Sequence, residues 1–274
     1  PVMHQYLLRK TNQNAPNWPK RSKLRSNPIH GVWQAFARAV RKPSLLALAV
    51  ALAMMLFFTA WPDIDLDVSR GFWTDGFRHG EDAFLLSVRD LNRALPALLL
   101  SGLVSILLVR PFSAGLQRNF RPHQLLLILT FYVLGPGATV DVVKNLFGRA
   151  RPRHLGDFGG ELFFTPVLSL EGTCLRNCSF PSGESASAIA LLAFIILLPK
   201  KFRLVGAAVL MPFIMIFSLN RVAMGAHFLS DVLIAWPLML AVFLLLHRPF
   251  TKYRETIDAA FSRKANRNRH IAEQ

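Results

Sequence analysis

Acidic residues and cysteines are scarce in this chain of 274 residues. Aspartate and glutamate together number 16 against 32 lysines and arginines, which gives a formal net charge of +16. The two cysteines are too few for a scaffold held together by several disulfides or for a four-cysteine zinc site. A basic excess often indicates nucleic-acid binding, but here the basic residues flank apolar runs and belong to no recognisable binding module. We therefore expect no nucleic-acid partner.

Apolar residues are abundant instead and form long runs. They make up 52% of the sequence, with 22 phenylalanines among them, and the mean hydropathy is positive. A straight helical crossing of a bilayer needs about 20 residues. Six runs approach that length: Ser44 to Trp61, Ala94 to Val109, Gln124 to Val143, Ser185 to Leu198, Leu204 to Leu219 and Val232 to Leu246. The sequence thus predicts an all-α integral membrane bundle of six helices in one domain.

The fourth run is the weakest of the six. It is short, and a helix buried in a soluble protein could have the same composition. Its many alanines and serines instead favour close packing between helices inside a membrane bundle. We therefore count it as a span.

The distribution of basic residues predicts the orientation. One side of the predicted membrane holds 22 of the 32 basic residues and both termini, whereas the other side holds 13 of the 16 acidic residues. Because lysine and arginine accumulate on the cytoplasmic side, we expect both termini there. This gives a basic N-terminal segment over residues 1–43, a membrane domain over 44–247 and a basic tail over 248–274. Since the first apolar run follows that basic segment, no cleavable signal peptide is expected.

Both cysteines lie in the predicted outer loop between the third and fourth runs. Cys174 and Cys178 are four residues apart, and a non-cytoplasmic compartment permits disulfides. A metal site would need further ligands, which the neighbouring sequence does not provide at a familiar spacing. We predict a disulfide between them.

Cations gather at the outer ends of the third and fifth runs. Lys144 and Arg151 are seven residues apart, and Arg221 is the third cation. Arginine can bind phosphate oxygens through two nitrogens, and lysine adds a point charge. Each cation could instead lie at the membrane interface and reach lipid phosphates, an interpretation that we favour for Arg149 and Arg153.

A short turn, Pro181-Ser-Gly-Glu184, precedes the fourth run. A turn that leads into a helix exposes backbone N–H groups, which favour an anion, and Ser182 can add its hydroxyl. An ordinary helix cap would need the same residues.

His227 and Asp231 are four residues apart, so they share a face if a helix begins near His227. A carboxylate there can fix one imidazole nitrogen and leave the other free to attack. This spacing alone is common and would carry little weight.

Taken together, the three clusters resemble the signature of the type-2 phosphatidic acid phosphatase family, which also includes vanadium-dependent haloperoxidases. The family pattern reads Lys-x6-Arg-Pro, then Pro-Ser-Gly-His, then Ser-Arg-x5-His-x3-Asp. The matching residues in this chain are Lys144, Arg151, Pro152, Pro181, Ser182, Gly183, Arg221, His227 and Asp231. Two positions depart from it. Asn220 replaces the serine, and Glu184 replaces the histidine that protonates the leaving oxygen.

The resemblance implies a phosphohistidine mechanism without a metal or other cofactor. His227 would attack phosphorus and Asp231 would orient it. The phosphoryl oxygens would be held by Lys144, Arg151, Arg221, Ser182 and the Gly183 N–H. Glu184 could replace the family's acid only if its pKa rose, and the nearby cations oppose such a rise. We still favour Glu184 as a substitute acid, because the rest of the signature is retained.

Three functions fit these observations. The first is a membrane lipid phosphatase in the bacterial inner membrane, with its site facing the periplasm. Its substrate would be lipid A phosphate, phosphatidylglycerol phosphate, undecaprenyl pyrophosphate or phosphatidic acid, and general resemblance favours lipid A. The second is a phosphotransferase that passes phosphate from one lipid to another. The third, suggested by Glu184, is a lipid binder or transporter without catalysis.

Overall fold

The computed structural model describes residues 42–261, which form helices joined by turns and loops. No β-strand occurs within this range, where the only ladder-type pairing is a single bridge between Leu155 and Leu162. The predicted all-α class is therefore confirmed for the described residues. Most of the predicted N-terminal segment and the end of the predicted tail lie outside them.

The helices follow one another with short connections, except for one long loop. They are α1 (Pro43–Ala60), α2 (Asp63–Gly71), α3 (Ala83–Val109), α4 (Ala114–Asn119), α5 (Pro122–Tyr132), α6 (Val140–Phe147), α7 (Gly183–Ala190), α8 (Arg203–Ala223) and α9 (Leu229–Lys252). A π-helical stretch, Val133–Thr139, joins α5 to α6, and a 3-10 stretch, Leu191–Leu197, extends α7. The long loop over residues 148–182 separates α6 from α7.

Five helical segments are long and apolar enough to cross a membrane. They are Pro43–Ala60, Ala83–Phe112, Pro122–His154, Lys200–Ala223 and Leu229–Lys252. Large apolar side chains such as Leu48, Leu52 and Leu56 on α1 are exposed on their surfaces. Exposure of apolar residues along whole helices suits contact with lipid. The chain is a multi-pass membrane protein.

The predicted fourth span corresponds to a shorter apolar segment, Gly183–Leu197. With rises of 1.5 Å per residue in an α-helix and 2.0 Å in a 3-10 helix, this segment is about 26 Å long. The hydrocarbon core is roughly 30 Å thick, so the 3-10 winding recovers most of the missing length. Its alanines Ala186, Ala188, Ala190 and Ala193 are buried, as expected for a closely packed helix. A sixth crossing, and the orientation, remain predictions.

Packing brings the helix ends that carry the sequence clusters together. The last helix, α9, packs along α1 and also contacts α5, α7 and α8. The long loop folds over this end, where Leu155 and Phe158 pack with Phe228 at the start of α9 and with aromatic residues that follow α2. All three sequence clusters lie at this end of the bundle.

Candidate functional site

His227 lies in the tight turn between α8 and α9, and its imidazole is fully buried. Its Nδ1 is 2.8 Å from the carbonyl oxygen of Ser179 in the long loop. Because a carbonyl can only accept a hydrogen bond, Nδ1 carries the proton. Nε2 is then the nitrogen that can attack an electrophile, and it has no hydrogen-bond partner within residues 42–261.

Asp231 supports His227 mainly through other groups. Its Oδ2 is 3.7 Å from His227 Nδ1, too far for a hydrogen bond. The same oxygen accepts hydrogen bonds from the Ser179 hydroxyl and, at 2.9 Å, from the Phe228 N–H. Asp231 thus fixes the two backbone segments that carry the imidazole and its carbonyl acceptor. Ser179 was not among the predicted site residues, and no local pattern distinguishes it.

Arg149 is the most highly connected buried side chain near the site. It is 1% exposed, and its Nη1 donates to Asp231 at 2.6 Å and to the Ser230 hydroxyl at 2.8 Å. Its Nη2 donates to Asp65 at 2.8 Å, and its Nε donates to the Thr165 carbonyl at 2.9 Å. The expectation that Arg149 reaches lipid phosphates is therefore wrong, because its charge is neutralised inside the protein.

Two further contacts complete this buried network. The Arg149 guanidinium lies 4.3 Å from the ring centre of Phe228, a cation–π contact. Asp65, on α2, accepts hydrogen bonds from the Ser230 backbone and hydroxyl. Burial raises the pKa of the Asp65 carboxyl, and the neighbouring Arg149 offsets part of that rise. The network therefore joins α2, the long loop and the start of α9.

Two of the predicted phosphate-binding cations, Arg151 and Lys144, lie at the same end of the bundle as His227. Arg151 is buried, and its Nε and Nη2 bind the backbone and side-chain oxygens of Asn177 at 2.9 and 2.7 Å. Lys144, on α6, is half-buried and interacts electrostatically with Arg151, Glu184 and Asp231. Among residues 42–261 no ion pair joins Lys144 to a carboxylate, although Asp141 also acts on it electrostatically.

Cys174 and Cys178 are joined by a disulfide in this structure. The residue that contacts Arg151, Asn177, lies between them and has a left-handed backbone with φ of 53°. The small loop closed by the two cysteines therefore presents the oxygens that hold one edge of the Arg151 guanidinium. The sequence offered no signal for this role of Asn177.

Ser182 and Gly183 begin α7 beside His227. The Ser182 hydroxyl accepts the Ser185 N–H at 3.2 Å, which makes Ser182 the N-cap of the helix. Its own N–H donates to the Asp231 carbonyl at 3.0 Å, so the turn is tied to α9. A Cβ added to Gly183 would meet only an ordinary contact with Val140. Ser182 is thus an ordinary helix cap, and the N-terminus of α7 also lies at the site.

Glu184 lies among cations and next to the imidazole. Arg93 binds Glu184 Oε1 through Nε at 3.0 Å and Nη2 at 2.6 Å. The other oxygen, Oε2, is 2.9 Å from Arg221 Nε and 3.5 Å from His227 Nε2. Two guanidinium groups and a helix N-terminus stabilise the negative charge, so in this arrangement Glu184 is an ionised carboxylate.

Arg221 is buried and poorly satisfied. Its Nε is close to Glu184 Oε2 but out of line for a hydrogen bond, and it has no other partner in the described part of the chain. Its Nη1 contacts only the weakly accepting sulfur of Met224, at 3.1 Å. Two buried nitrogens, Arg221 Nε and His227 Nε2, therefore lack hydrogen-bond partners among the described residues, and Glu184 Oε2 is their common neighbour. Unsatisfied buried polar groups are costly, and a ligand oxygen that took the place of Glu184 Oε2 in better alignment would satisfy the arginine.

Asn220, which stands where the family pattern has a serine, contacts a neighbouring helix. Its side-chain Nδ2 donates to the Leu85 carbonyl at 2.9 Å, which ties α8 to α3. Asn92, also on α3, donates to the Glu184 backbone carbonyl at 3.1 Å. Helix α3 is thus fastened to both sides of the site, and the Asn220 amide nitrogen is engaged with that helix.

The structure therefore brings all the predicted site residues to one end of the bundle. It also adds residues that sequence reasoning missed: Asp65, Arg93, Arg149, Asn177, Ser179 and Ser230. Within residues 42–261, no three His, Cys, Asp or Glu side chains are arranged to hold a metal ion.

Comparisons with known proteins agree with this geometry. Residues 125–255 match the PAP2 superfamily model. A lipid A 4′-phosphatase of Rhizobium leguminosarum is 33% identical over 71% of this chain and 90% of that protein. Proteins of the same name from Rhizobium etli and Francisella tularensis subsp. novicida are 31% and 28% identical, over 82% and 86% of their lengths. No solved structure gives a significant match.

The buried network makes a prediction about stability. Replacing Arg149 with methionine should destabilise the protein by about 3–5 kcal/mol, because it leaves the Asp65 and Asp231 carboxylates buried without their cation. Unfolding in detergent, followed by the thermal midpoint, measures this effect. Arg153→Met is the matched control, since the Arg153 side chain is exposed and its hydrogen bond is to the neighbouring His154. Equal midpoints for the two variants would contradict the structural role of Arg149.

Proposed function

We propose that this chain, which belongs to the PAP2 superfamily and is a lipid phosphatase, removes a phosphate group from a membrane glycolipid through a phosphohistidine at His227. The observation that carries the proposal is the pair of buried nitrogens without a hydrogen bond among the described residues, His227 Nε2 and Arg221 Nε, which both lie next to Glu184 Oε2. One is a nucleophile and the other is a phosphate-oxygen donor. A tetrahedral phosphoryl group between them would engage both.

The first step transfers the phosphoryl group to the enzyme. His227 Nε2 attacks phosphorus, the bond from phosphorus to the lipid oxygen breaks, and that oxygen takes a proton. Arg221, Arg151 and Lys144 hold the phosphoryl oxygens, helped by the Gly183 N–H and the Ser182 hydroxyl, and so stabilise the charge in the transition state. The hydrogen bond from Nδ1 to the Ser179 carbonyl keeps the imidazole in the tautomer whose Nε2 can attack. Water then attacks the phosphohistidine and releases inorganic phosphate.

Glu184 is the proposed proton donor for the leaving oxygen. As an ion-paired carboxylate it cannot donate a proton, but a bound phosphoryl group would change its surroundings. That group would compete for Arg221 and would bring negative charge close to the carboxylate. Both changes favour protonation of Glu184, and its partial exposure allows a proton to arrive from water. The same carboxyl could then accept a proton from the water that attacks the intermediate.

The substrate that we propose is the 4′-phosphate of lipid A, acted on at the periplasmic face of the bacterial inner membrane. Three relatives that align over most of their length have that activity in their names. The orientation rests on the basic residues around the predicted cytoplasmic ends of the helices. With this topology, a lipid headgroup could reach His227 while its acyl chains stayed in the bilayer.

A panel of labelled lipids tests substrate and reaction type together. Purified protein should release free phosphate from lipid A labelled at the 4′ position, faster than from lipid A labelled at the 1 position, phosphatidylglycerol phosphate, undecaprenyl pyrophosphate or phosphatidic acid. Label that appeared on a second lipid would identify a phosphotransferase. Release from no lipid across pH 4 to 9, with lipid binding retained, would identify a non-catalytic binder.

The nucleophile is tested by substitution. His227→Ala should lower phosphate release by about 10³-fold or more, because no other side chain can form the covalent intermediate. Acid-labile, base-stable label should remain on the parent protein after rapid quenching, and it should be missing from the variant. His154→Ala is the control, because His154 lies in the long loop and is exposed. A His227→Ala variant as active as the parent would rule out the mechanism.

Glu184→Gln separates proton donation from binding. We expect kcat to fall by about 10²-fold, because an amide cannot donate the proton to the leaving oxygen. Glu184→His should recover part of that loss and shift the pH optimum, since it restores the family's acid. Glu161→Gln, which changes an exposed carboxylate in the long loop, should leave kcat unchanged. Full activity in Glu184→Gln would show that Glu184 is not the acid.

A further inference from the structure

Arg93 is a charged residue near His227 for which neither the family pattern nor the mechanism above has a role. It lies on α3, and its side chain is 57% exposed, whereas the side chain of its partner Glu184 is 15% exposed. Both contacts of Arg93 are to Oε1, and the contacts with Arg221 and His227 are to Oε2. The carboxylate is thus bound from opposite sides through different oxygens.

The position of Oε2 conflicts with the chemistry proposed for His227. Attack requires phosphorus within about 3–3.5 Å of the nucleophilic nitrogen. Glu184 Oε2 is already 3.5 Å from that nitrogen and 2.9 Å from Arg221 Nε. A phosphoryl group and this carboxylate oxygen therefore cannot use the same space. Glu184 must withdraw before the reaction can proceed.

The contacts on the other side indicate where the carboxylate can go. The Glu184 backbone carbonyl is held by Asn92 at 3.1 Å, so the main chain can stay in place while the side chain turns. The Arg93 contacts do not involve Oε2, and its exposed side chain has room to follow the carboxylate. These features allow Arg93 to stay bound to Glu184 after Arg221 has left the carboxylate to bind phosphate.

We propose that Arg93 is a positioning residue that draws the Glu184 carboxylate away from Arg221 and His227 when a phosphoryl group binds, and then holds it through Oε1 beside the leaving oxygen, so that Oε2 can take up and donate the proton. The inference rests on the proposed function, because it assumes that phosphate binds at His227. An exposed ion pair contributes little to stability by itself. The effect of Arg93 should accordingly appear in anion binding and turnover, and it should depend on Glu184.

Vanadate binding tests this dependence without requiring turnover. Dissociation constants would be measured by calorimetry on purified protein in detergent for the parent and for Arg93→Gln, Arg93→Lys and Arg89→Gln. Arg89 is the matched control, because it lies one turn earlier on the same helix, carries the same charge and pairs with its neighbour Asp90. Each variant would also be made in a Glu184→Gln background, with KM and kcat measured on the best lipid substrate.

In Arg93→Gln, Glu184 keeps its contacts with Arg221 and His227, the residues that the anion also needs. The carboxylate should therefore compete with vanadate, whose affinity should fall about tenfold, with KM raised and kcat lowered. Arg93→Lys should recover part of the affinity, and Arg89→Gln should change it by less than about twofold, because Arg89 acts on Arg221 without contact and its charge is paired with Asp90. In the Glu184→Gln background, Arg93→Gln should have no further effect on affinity.

Two results would overturn the inference. One is equal affinity in Arg93→Gln and Arg89→Gln. The other is a tenfold loss that persists in the Glu184→Gln background, which would mean that Arg93 binds the anion directly. A parent protein that binds no vanadate would instead contradict the proposed phosphate site, so the failure of the inference can be told apart from the failure of the function.

Discussion

The buried guanidinium of Arg149 is the interaction on which the rest of the site depends. It binds Asp65 on α2, Thr165 in the long loop and Asp231 on α9, all without access to water. A buried charge of this kind is tolerated only when its donors are satisfied, so each partner must be in place for the others to be stable. Because Asp231 also fixes Ser179 and Phe228, this constraint extends to both segments that position His227. The contacts that hold the long loop therefore also hold the proposed nucleophile in place.

The histidine is oriented by a backbone carbonyl, with the carboxylate one step removed. Asp231 divides its oxygens between Arg149 and the Ser179–Phe228 pair, and the imidazole donates to Ser179. A carboxylate in direct contact with Nδ1 would stabilise a charged imidazole strongly, whereas a neutral carbonyl fixes the tautomer with a weaker effect on charge. The proposed attacking nitrogen is thus kept in position, while the Asp231 carboxylate binds Arg149 and the Phe228 N–H.

Sequence patterns predicted the helical class, five of the apolar segments and the convergence of the motif residues, because hydrophobic length and motif spacing are local properties. They did not predict the partners of those residues. Asp65 and Arg149 are 84 residues apart, and Arg93 and Glu184 are 91 apart, so no periodicity links them. Arg149 was assigned to the lipid interface because an arginine at the end of an apolar run usually lies there. Only the packing of α2 and α9 around it shows that it is buried.

The replacement of the family's histidine by Glu184 changes the electrostatics of the site as well as its acid. A carboxylate brings a negative charge into the proposed phosphate site, and it pairs with Arg221, one of the cations that we propose to bind the substrate. In the proposed mechanism, such a replacement requires another cation that can bind the carboxylate when Arg221 binds phosphate. Arg93 provides that cation, on a helix that Asn92 and Asn220 fasten to both sides of the site. The two residues are therefore best understood as a pair, in which the arginine compensates for the charge that the glutamate introduces.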